Sequence, residues 1–194
     1  MLTLALVFAL HACPQRIIVT APSLRSTTAT VTLLECGRRV AGPWRARVGR
    51  NGLSAHHREG DGTTPLGTFG IGTTLYGLDP DPGAKLRYHR LVCGDWWDED
   101  PRSATYNRFR HLRCGATPPF RGGSEALWRA TVAYREFAVI AANMHPIVPG
   151  LGSAIFLHDD TGRPTNGCVS LPRTELLTLL RRLRPGATIQ IASA

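Results

Sequence analysis

Short apolar runs of strand length recur along the chain, with glycine and proline between them. Residues 30–35 alternate polar and apolar side chains, which indicates a strand with one buried face, and Asn51-Gly52 is a typical turn dipeptide. Further strands are predicted at residues 16–20, 44–48, 68–72, 137–142, 155–157 and 187–191. The 20 glycines and 14 prolines fit the many turns that such a chain needs.

The spacing of apolar residues changes from a strand pattern to a helical one after Pro172, where leucines recur on one helical face. The leucines of this face are Leu176, Leu177, Leu179, Leu180 and Leu183. Pro172 is expected to open the helix and Pro185-Gly186 to stop it. Three arginines are expected to be favoured near its C-terminus by the helix dipole: Arg181, Arg182 and Arg184. The sequence therefore predicts a mainly β domain closed by one amphipathic helix.

The chain has 194 residues, enough for one domain with its own core, and a formal net charge of +9. This charge favours polyanionic partners. Nucleic acid is the generic candidate, but the basic residues are scattered arginines without a recognition motif, so we expect no nucleic-acid binding. For an exported protein, the anionic cell wall or the outer face of the membrane is the natural partner.

Residues 1–13 form an apolar segment that is too short to span a bilayer and suits the core of a signal peptide, although no Lys or Arg precedes it. Its end, Leu10-His11-Ala12-Cys13, is similar to a lipobox, in which the cysteine receives a lipid. Both a cleaved signal peptide and a lipoprotein anchored through Cys13 remain open. Residues 14–27 are interpreted as a tether or an edge strand, and 28–194 as the folded domain.

Candidate chemistry lies between residues 155 and 171. His158 directly follows the apolar run 155–157. A nine-residue loop separates it from Cys168, and the loop ends in Thr165-Asn166-Gly167, just before Cys168 and the apolar Val169. A thiol becomes a good nucleophile when a neighbouring imidazole draws it toward thiolate. Gly167 would let a substrate carbonyl approach the backbone N–H groups at Cys168. His145 is the rival base, but a loop histidine is harder to hold rigidly than one at a strand end.

These residues resemble the L,D-transpeptidase catalytic domain, or YkuD-type, family, whose members carry a His, a loop and a Ser/Thr-x-Gly-Cys-hydrophobic signature. A second match, Thr64-Pro65-Leu66-Gly67-Thr68-Phe69, is similar to the family's TPxGxF segment. The resemblance covers residues 28 to 192 and implies a β-sandwich-like domain. The loop between His158 and Cys168 is shorter than in many members, and Ser170 stands where many have a residue that helps to hold substrate.

The resemblance implies an exported cysteine acyltransferase of cell-wall biosynthesis and cell shape, acting on peptidoglycan stem peptides. Cys168 would form a thioester, His158 would take the thiol proton, and the N–H groups of Gly167 and Cys168 would form the oxyanion hole. Thr165 and Asn166 are candidate substrate contacts. Carbapenem-type inhibitors are candidate ligands, and no metal or cofactor is expected. An L,D-carboxypeptidase-type hydrolase and a non-catalytic wall-binding module are the alternatives, and the oligomeric state is undetermined.

Residues 75–123 are interpreted as an elaborated loop region. Trp96 and Trp97 suit either a surface that contacts sugar or peptide or a small satellite core. In an exported protein, Cys93 and Cys114 would form a disulfide that closes this region, which leaves Cys36 unpaired.

Asp159 follows His158 directly, and because alternate strand residues point apart it is interpreted as a surface acid rather than as the group that orients the imidazole.

Overall fold

The structure is a computed structural model that describes residues 13–194. The predicted targeting segment therefore lies outside the described residues, except for Cys13. Fourteen strands, one short 3₁₀ helix and one α-helix make up the described part. The strands are β1 Gln15–Ala21, β2 Thr28–Glu35, β3 Arg38–Arg47, β4 Leu53–Ser54, β5 Thr64–Pro65, β6 Gly67–Gly77, β7 Arg87–Arg90, β8 Asp95–Asp98, β9 Arg108–His111, β10 Glu125–Ala126, β11 Phe137–Ile140, β12 Phe156–Asp159, β13 Val169–Leu171 and β14 Thr188–Ser193. The mainly β class predicted from the sequence is confirmed.

Nine strands form one sheet in the order β11-β12-β13-β3-β2-β1-β14-β6-β7. Because β11 also pairs with β6, eight of these strands form a closed circuit of hydrogen-bonded neighbours, and β7 is attached to β6. The large core cluster contains apolar side chains of β1, β2, β11 to β14 and the α-helix. Within residues 75–123, strands β8 and β9 join β10 in a separate three-stranded sheet.

Strand β1 lies in the interior of the large sheet. It pairs antiparallel with β2 on one side and parallel with β14 on the other, where Ile17 is opposite Ile189 and Val19 is opposite Ile191. Ile17 and Val19 are fully buried. The prediction of a tether or edge strand at 14–27 was therefore wrong, because the second neighbour of this strand is supplied from the other end of the chain.

The predicted helix is present as α1, Arg173–Leu180, and Pro172 occupies its N-cap. Leu176, Leu179 and Leu180 are buried in the core, as their spacing predicted. The helix ends earlier than expected, so Arg182 and Arg184 lie beyond it and the last turn holds no basic residue. Arg181 occupies the C-cap, so it is the arginine positioned for the predicted interaction with the helix dipole, whereas Arg182 and Arg184 follow the helix.

Two disulfides constrain the described chain, Cys93–Cys114 and Cys13–Cys36. The first was predicted. The second contradicts the prediction that Cys36 is unpaired, and it also contradicts lipidation of Cys13, because a sulfur in a disulfide cannot form a lipid thioether. Among residues 13–194, Cys168 is the free thiol.

Within residues 13–194, the helical segments lack the length and apolar character that crossing a bilayer requires.

Candidate active site

Two neighbouring parallel strands position the predicted catalytic pair. In the register of β12 and β13, Leu157 is opposite Val169 and His158 is opposite Ser170, while Cys168 directly precedes β13. His158 and Cys168 line the same cavity, which has a volume of about 540 Å³. The structure thus brings together the two side chains that the sequence singled out.

A backbone contact fixes the ring of His158. Its Nδ1 lies 2.7 Å from the carbonyl oxygen of Asp159, so Nδ1 carries the proton and donates it to that oxygen. Nε2 is then the basic nitrogen. The side chain is buried, and this burial lowers the pKa of His158. A neutral imidazole with a fixed tautomer can accept a proton from a thiol.

The Cys168 thiol is protonated in the resting site. Burial raises its pKa, and the nearby carboxylates of Glu125 and Glu99 raise it further. Its sulfur accepts the Phe156 N–H at 3.3 Å, and the thiol donates to the Ala154 carbonyl, also at 3.3 Å. The thiol therefore needs a base to become nucleophilic.

Ala154, which accepts the thiol hydrogen, has a backbone φ of 52°, in the left-handed region that residues with a Cβ rarely adopt. Such strain persists where the surroundings impose it, commonly beside functional groups.

The hydroxyl of Thr165 stabilises the turn before Cys168. Thr165 Oγ1 donates to the Cys168 carbonyl at 2.6 Å and accepts the Gly167 N–H at 3.2 Å. Thr165, a predicted substrate contact, is buried and stabilises the turn. The Gly167 N–H, a predicted oxyanion donor, is engaged by this hydroxyl. A Cβ at Gly167 would lie 3.0 Å from the Thr63 carbonyl, and φ is 145°, so glycine is required here.

Asn166, the other predicted substrate contact, is exposed and lines the cavity beside Cys168. Its side-chain oxygen accepts a hydrogen bond from Arg50. A second cavity of about 390 Å³ shares Cys168, Asn166 and Glu125 with the first, and adds His57 and Glu99 to the wall. Cys168 therefore lies between two openings.

This site has an acidic wall that was not predicted from the sequence. Burial raises the pKa of Glu99 to about 9, and the charge of Glu125 contributes. Glu125 is half-buried, its partial removal from water raises its pKa, and it accepts a hydrogen bond from Tyr134. Tyr134 meets the His158 ring edge-on, with the ring centroids 6.0 Å apart. No local sequence signal connects these residues to Cys168.

His57 was also missed. Its Nδ1 lies 3.0 Å from Thr63 Oγ1 and 3.1 Å from Asp61 Oδ1, and its side chain is only 8% exposed. A Cβ at Gly167 would be 3.6 Å from its ring. The signal that could have found it is its position just before the loop that leads into Thr64-Pro65.

The tryptophan pair lies away from the two cavities at Cys168. Trp97 is 2% exposed, donates to Asn107 Oδ1 at 3.0 Å and packs edge-on against Phe156. Trp97 is therefore a core residue, which is the alternative that the sequence left open. Trp96 packs edge-on against Trp128. Neither ring lines a cavity beside Cys168, although Trp97 lines a third cavity of about 630 Å³.

The rival base His145 is exposed and lines a cavity that does not include Cys168.

Asp159 is buried rather than a surface acid. Besides orienting the imidazole through its carbonyl, it accepts the Glu136 N–H at 3.2 Å, and its Oδ2 lies 3.6 Å from Arg173 Nη1. Burial raises the pKa of Asp159 to about 6. The interpretation as a surface acid was wrong because the Asp159 carboxylate is buried beside the Glu136 N–H and Arg173. Strand alternation correctly points this side chain away from His158, but the backbone carbonyl of Asp159 orients the imidazole instead.

Comparison with known proteins shows the family of this chain. The family model of the L,D-transpeptidase catalytic domain, YkuD, matches residues 15–191. The chain therefore belongs to the L,D-transpeptidase catalytic domain family. The comparison with curated proteins gave no match. A solved structure of an L,D-transpeptidase (Yku) from Stackebrandtia nassauensis is similar over 92% of this chain, with 16% sequence identity and a TM-score of 0.42, and this chain spans 55% of that protein.

Proposed function

We propose that the chain is an exported cysteine acyltransferase that cross-links peptidoglycan stem peptides, with Cys168 as nucleophile and His158 as base. The observation that carries this proposal is the presence of both side chains on the wall of one cavity, with His158 Nδ1 fixed on the Asp159 carbonyl. The family to which the chain belongs supports the reaction class and the partner.

The first half-reaction is acylation. Cys168 Sγ attacks the carbonyl carbon of the diamino-acid residue that precedes a terminal D-Ala, and His158 Nε2 takes the thiol proton. The imidazolium then gives this proton to the D-Ala nitrogen as the peptide bond breaks. A thioester on Cys168 and free D-Ala result.

The second half-reaction transfers the acyl group. The side-chain amine of a second stem attacks the thioester, His158 takes the amine proton, and the sulfur leaves and is reprotonated. The two cavities on either side of Cys168 suit a donor and an acceptor that approach separately. The Cys168 and Gly167 N–H groups are the proposed oxyanion donors. The Gly167 N–H must first leave Thr165 Oγ1, so the hole would form as substrate binds.

Export fits the two disulfides, because disulfides persist in oxidising compartments outside the cytoplasm. The formal charge of +9 favours retention at the anionic cell wall.

The test is intact-mass measurement after exposure to a carbapenem, which should add one inhibitor to the wild-type chain. Cys168→Ala should give no adduct, and His158→Ala should slow acylation by about 10²–10⁴-fold. His56→Ala, at an exposed histidine that lines neither cavity beside Cys168, is the matched control and should react at the wild-type rate. A wild-type chain without an adduct would favour a wall-binding module.

Product analysis with purified muropeptides separates the two enzymatic alternatives. Cross-linked dimers support the proposed transferase, whereas shortened stems without dimers would assign the same thioester to an L,D-carboxypeptidase-type hydrolase.

A further inference from the structure

A cavity that the proposed mechanism does not use lies along β6. It measures about 630 Å³, larger than either cavity beside Cys168. One side is the stretch of β6 from Thr68 to Tyr76, and the other includes Ala141 and Met144, which follow β11. We call this cavity the β6 groove.

A glycine without a packing role opens the floor of the β6 groove. Gly70 lies in the interior of β6, where glycine weakens a strand by roughly 0.5–1 kcal/mol relative to alanine. Among the described residues, a Cβ at Gly70 would meet only the Ala141 methyl, at 3.9 Å, and the backbone there is not left-handed. Gly72 is different, because its Cβ would press on Val139 at 3.2 Å. A glycine inside a strand occurs at a bulge, at a tight bend, or where another backbone or a ligand approaches closely. The register of β6 against β11 shifts next to Gly70, between Ile71 and Leu75, and the missing side chain also leaves the groove floor open to a ligand.

The wall chemistry selects an uncharged ligand. The chain has 37 charged residues, Lys+Arg 23 plus Asp+Glu 14, yet within the described part none of them lines the β6 groove, and its one ionisable imidazole is that of the exposed His145. The hydroxyls of three threonines line it: Thr73 Oγ1 accepts a hydrogen bond from Arg87 at 3.3 Å, whereas those of Thr68 and Thr74 have no side-chain hydrogen bond within residues 13–194. Half-buried Phe69 and Tyr76 add aromatic surface. Hydroxyl groups beside aromatic rings suit a neutral sugar, whereas a stem peptide carries carboxylates.

A series of cavities that share wall residues connects the β6 groove to the active site. Phe69 and Asn143 also line a cavity of about 360 Å³, and that cavity shares His57 and Ile155 with the 390 Å³ cavity at Cys168. One polymer could therefore contact both ends of the series.

We propose that the β6 groove binds uncharged N-acetylated sugar rings of the glycan strand whose stem peptide is presented to Cys168. This inference rests on the proposed function, because it places the glycan of the same substrate.

The probe is the N-acetylglucosamine tetramer, which is neutral and carries no peptide. Titration of the wild-type chain, followed by backbone amide NMR shifts, should perturb β6 and the residues after β11. Gly70→Val places a side chain on the groove floor and should weaken binding by at least about tenfold, equivalent to 1.4 kcal/mol. Thr30→Val, on the exposed face of β2, is the matched control and should bind like the wild type.

The double variant Thr68→Val/Thr74→Val keeps side-chain shape while removing two hydroxyls, so it tests the proposal even if Gly70→Val fails to fold. Wild-type affinity in a folded Gly70→Val or in the double variant would overturn the proposal. So would the absence of tetramer binding at millimolar concentration, or perturbation of the groove by a free stem tetrapeptide instead of the sugar.

Because binding is measured without chemistry, its outcome is independent of thioester formation on Cys168. Acylation of Cys168 without sugar binding would contradict the glycan site and support the proposed function. Sugar binding without acylation would support the glycan site and contradict the proposed function.

Discussion

Replacing Arg173 with methionine should destabilise the fold through a carboxylate that it leaves unpaired. The guanidinium of Arg173 makes two hydrogen bonds to Glu136, at 2.7 and 3.0 Å, and one to Asp79 at 2.8 Å. The side chain of Glu136 is only 2% exposed. Methionine fills similar space but provides no donor, so Glu136 would remain buried without its cation.

Removing one partner of a buried ion pair usually destabilises a protein by about 3–5 kcal/mol. Arg173 is 35% exposed, so water reaches part of the pair and we expect a value near the lower limit, about 3 kcal/mol. For a chain of this size, this corresponds to a decrease in Tm of roughly 6–12 °C.

The loss should depend on pH. Burial already raises the pKa of Glu136, although Arg173 opposes that shift. Without Arg173, the folded-state pKa rises further above the unfolded value. The folded state then holds its proton more tightly, so stability falls as pH rises through this range. The deficit of Arg173→Met should therefore be smaller at pH 5 than at pH 8.

The assay is urea unfolding followed by tryptophan fluorescence at both pH values, with the disulfides intact. Arg182→Met is the matched control: Arg182 is exposed and forms no ion pair within the described chain, so the change should stay within about 0.5 kcal/mol. Adding Glu136→Gln to Arg173→Met should recover part of the loss. Equal deficits for Arg173→Met and Arg182→Met, or a deficit independent of pH, would refute this reasoning.

Three further changes test other parts of the structure. Asp159→Asn should remove a decline in unfolding free energy that the wild type shows as pH rises from about 4 to about 6, because the folded-state pKa of Asp159 is about 6 and its ordinary value is 3.8; parallel pH profiles would contradict this. Glu125→Gln should speed alkylation of Cys168 by iodoacetamide at pH 8 by roughly threefold to tenfold, since a like charge beside the thiol is lost; an unchanged rate would show that the charge of Glu125 does not raise the thiol pKa. Cys13→Ser/Cys36→Ser should lower stability by about 3 kcal/mol, because the bond spans 23 residues; equal denaturant midpoints would count against this restraint.

The sequence predicts those parts of the site that lie close together along the chain. His158 and Cys168 are ten positions apart, and a strand, a loop and a second strand suffice to bring them together. Glu99 and His57 come from loops far away in sequence, and only the tertiary fold places them beside Cys168. Trp97 shows the opposite problem, because its composition suits either a surface or a core, and only packing against Phe156 decides between them.

The strands likewise combine a local feature that the sequence predicts with a tertiary feature that it does not. Apolar alternation predicts where strands form, but it contains no information about their neighbours. The interior position of β1 depends on β14, which lies at the other end of the chain.

This pairing of the first and last strands has a consequence for biosynthesis. A nascent chain lacks β14 until Thr188–Ser193 have been synthesised, so β1 and β6 both expose an unpaired edge while the residues that precede β14 are made. The circuit of paired strands closes only once β14 is available. Any product truncated before Thr188 would keep both edges open, and we expect such fragments to be recognised by chaperones or degraded rather than to accumulate.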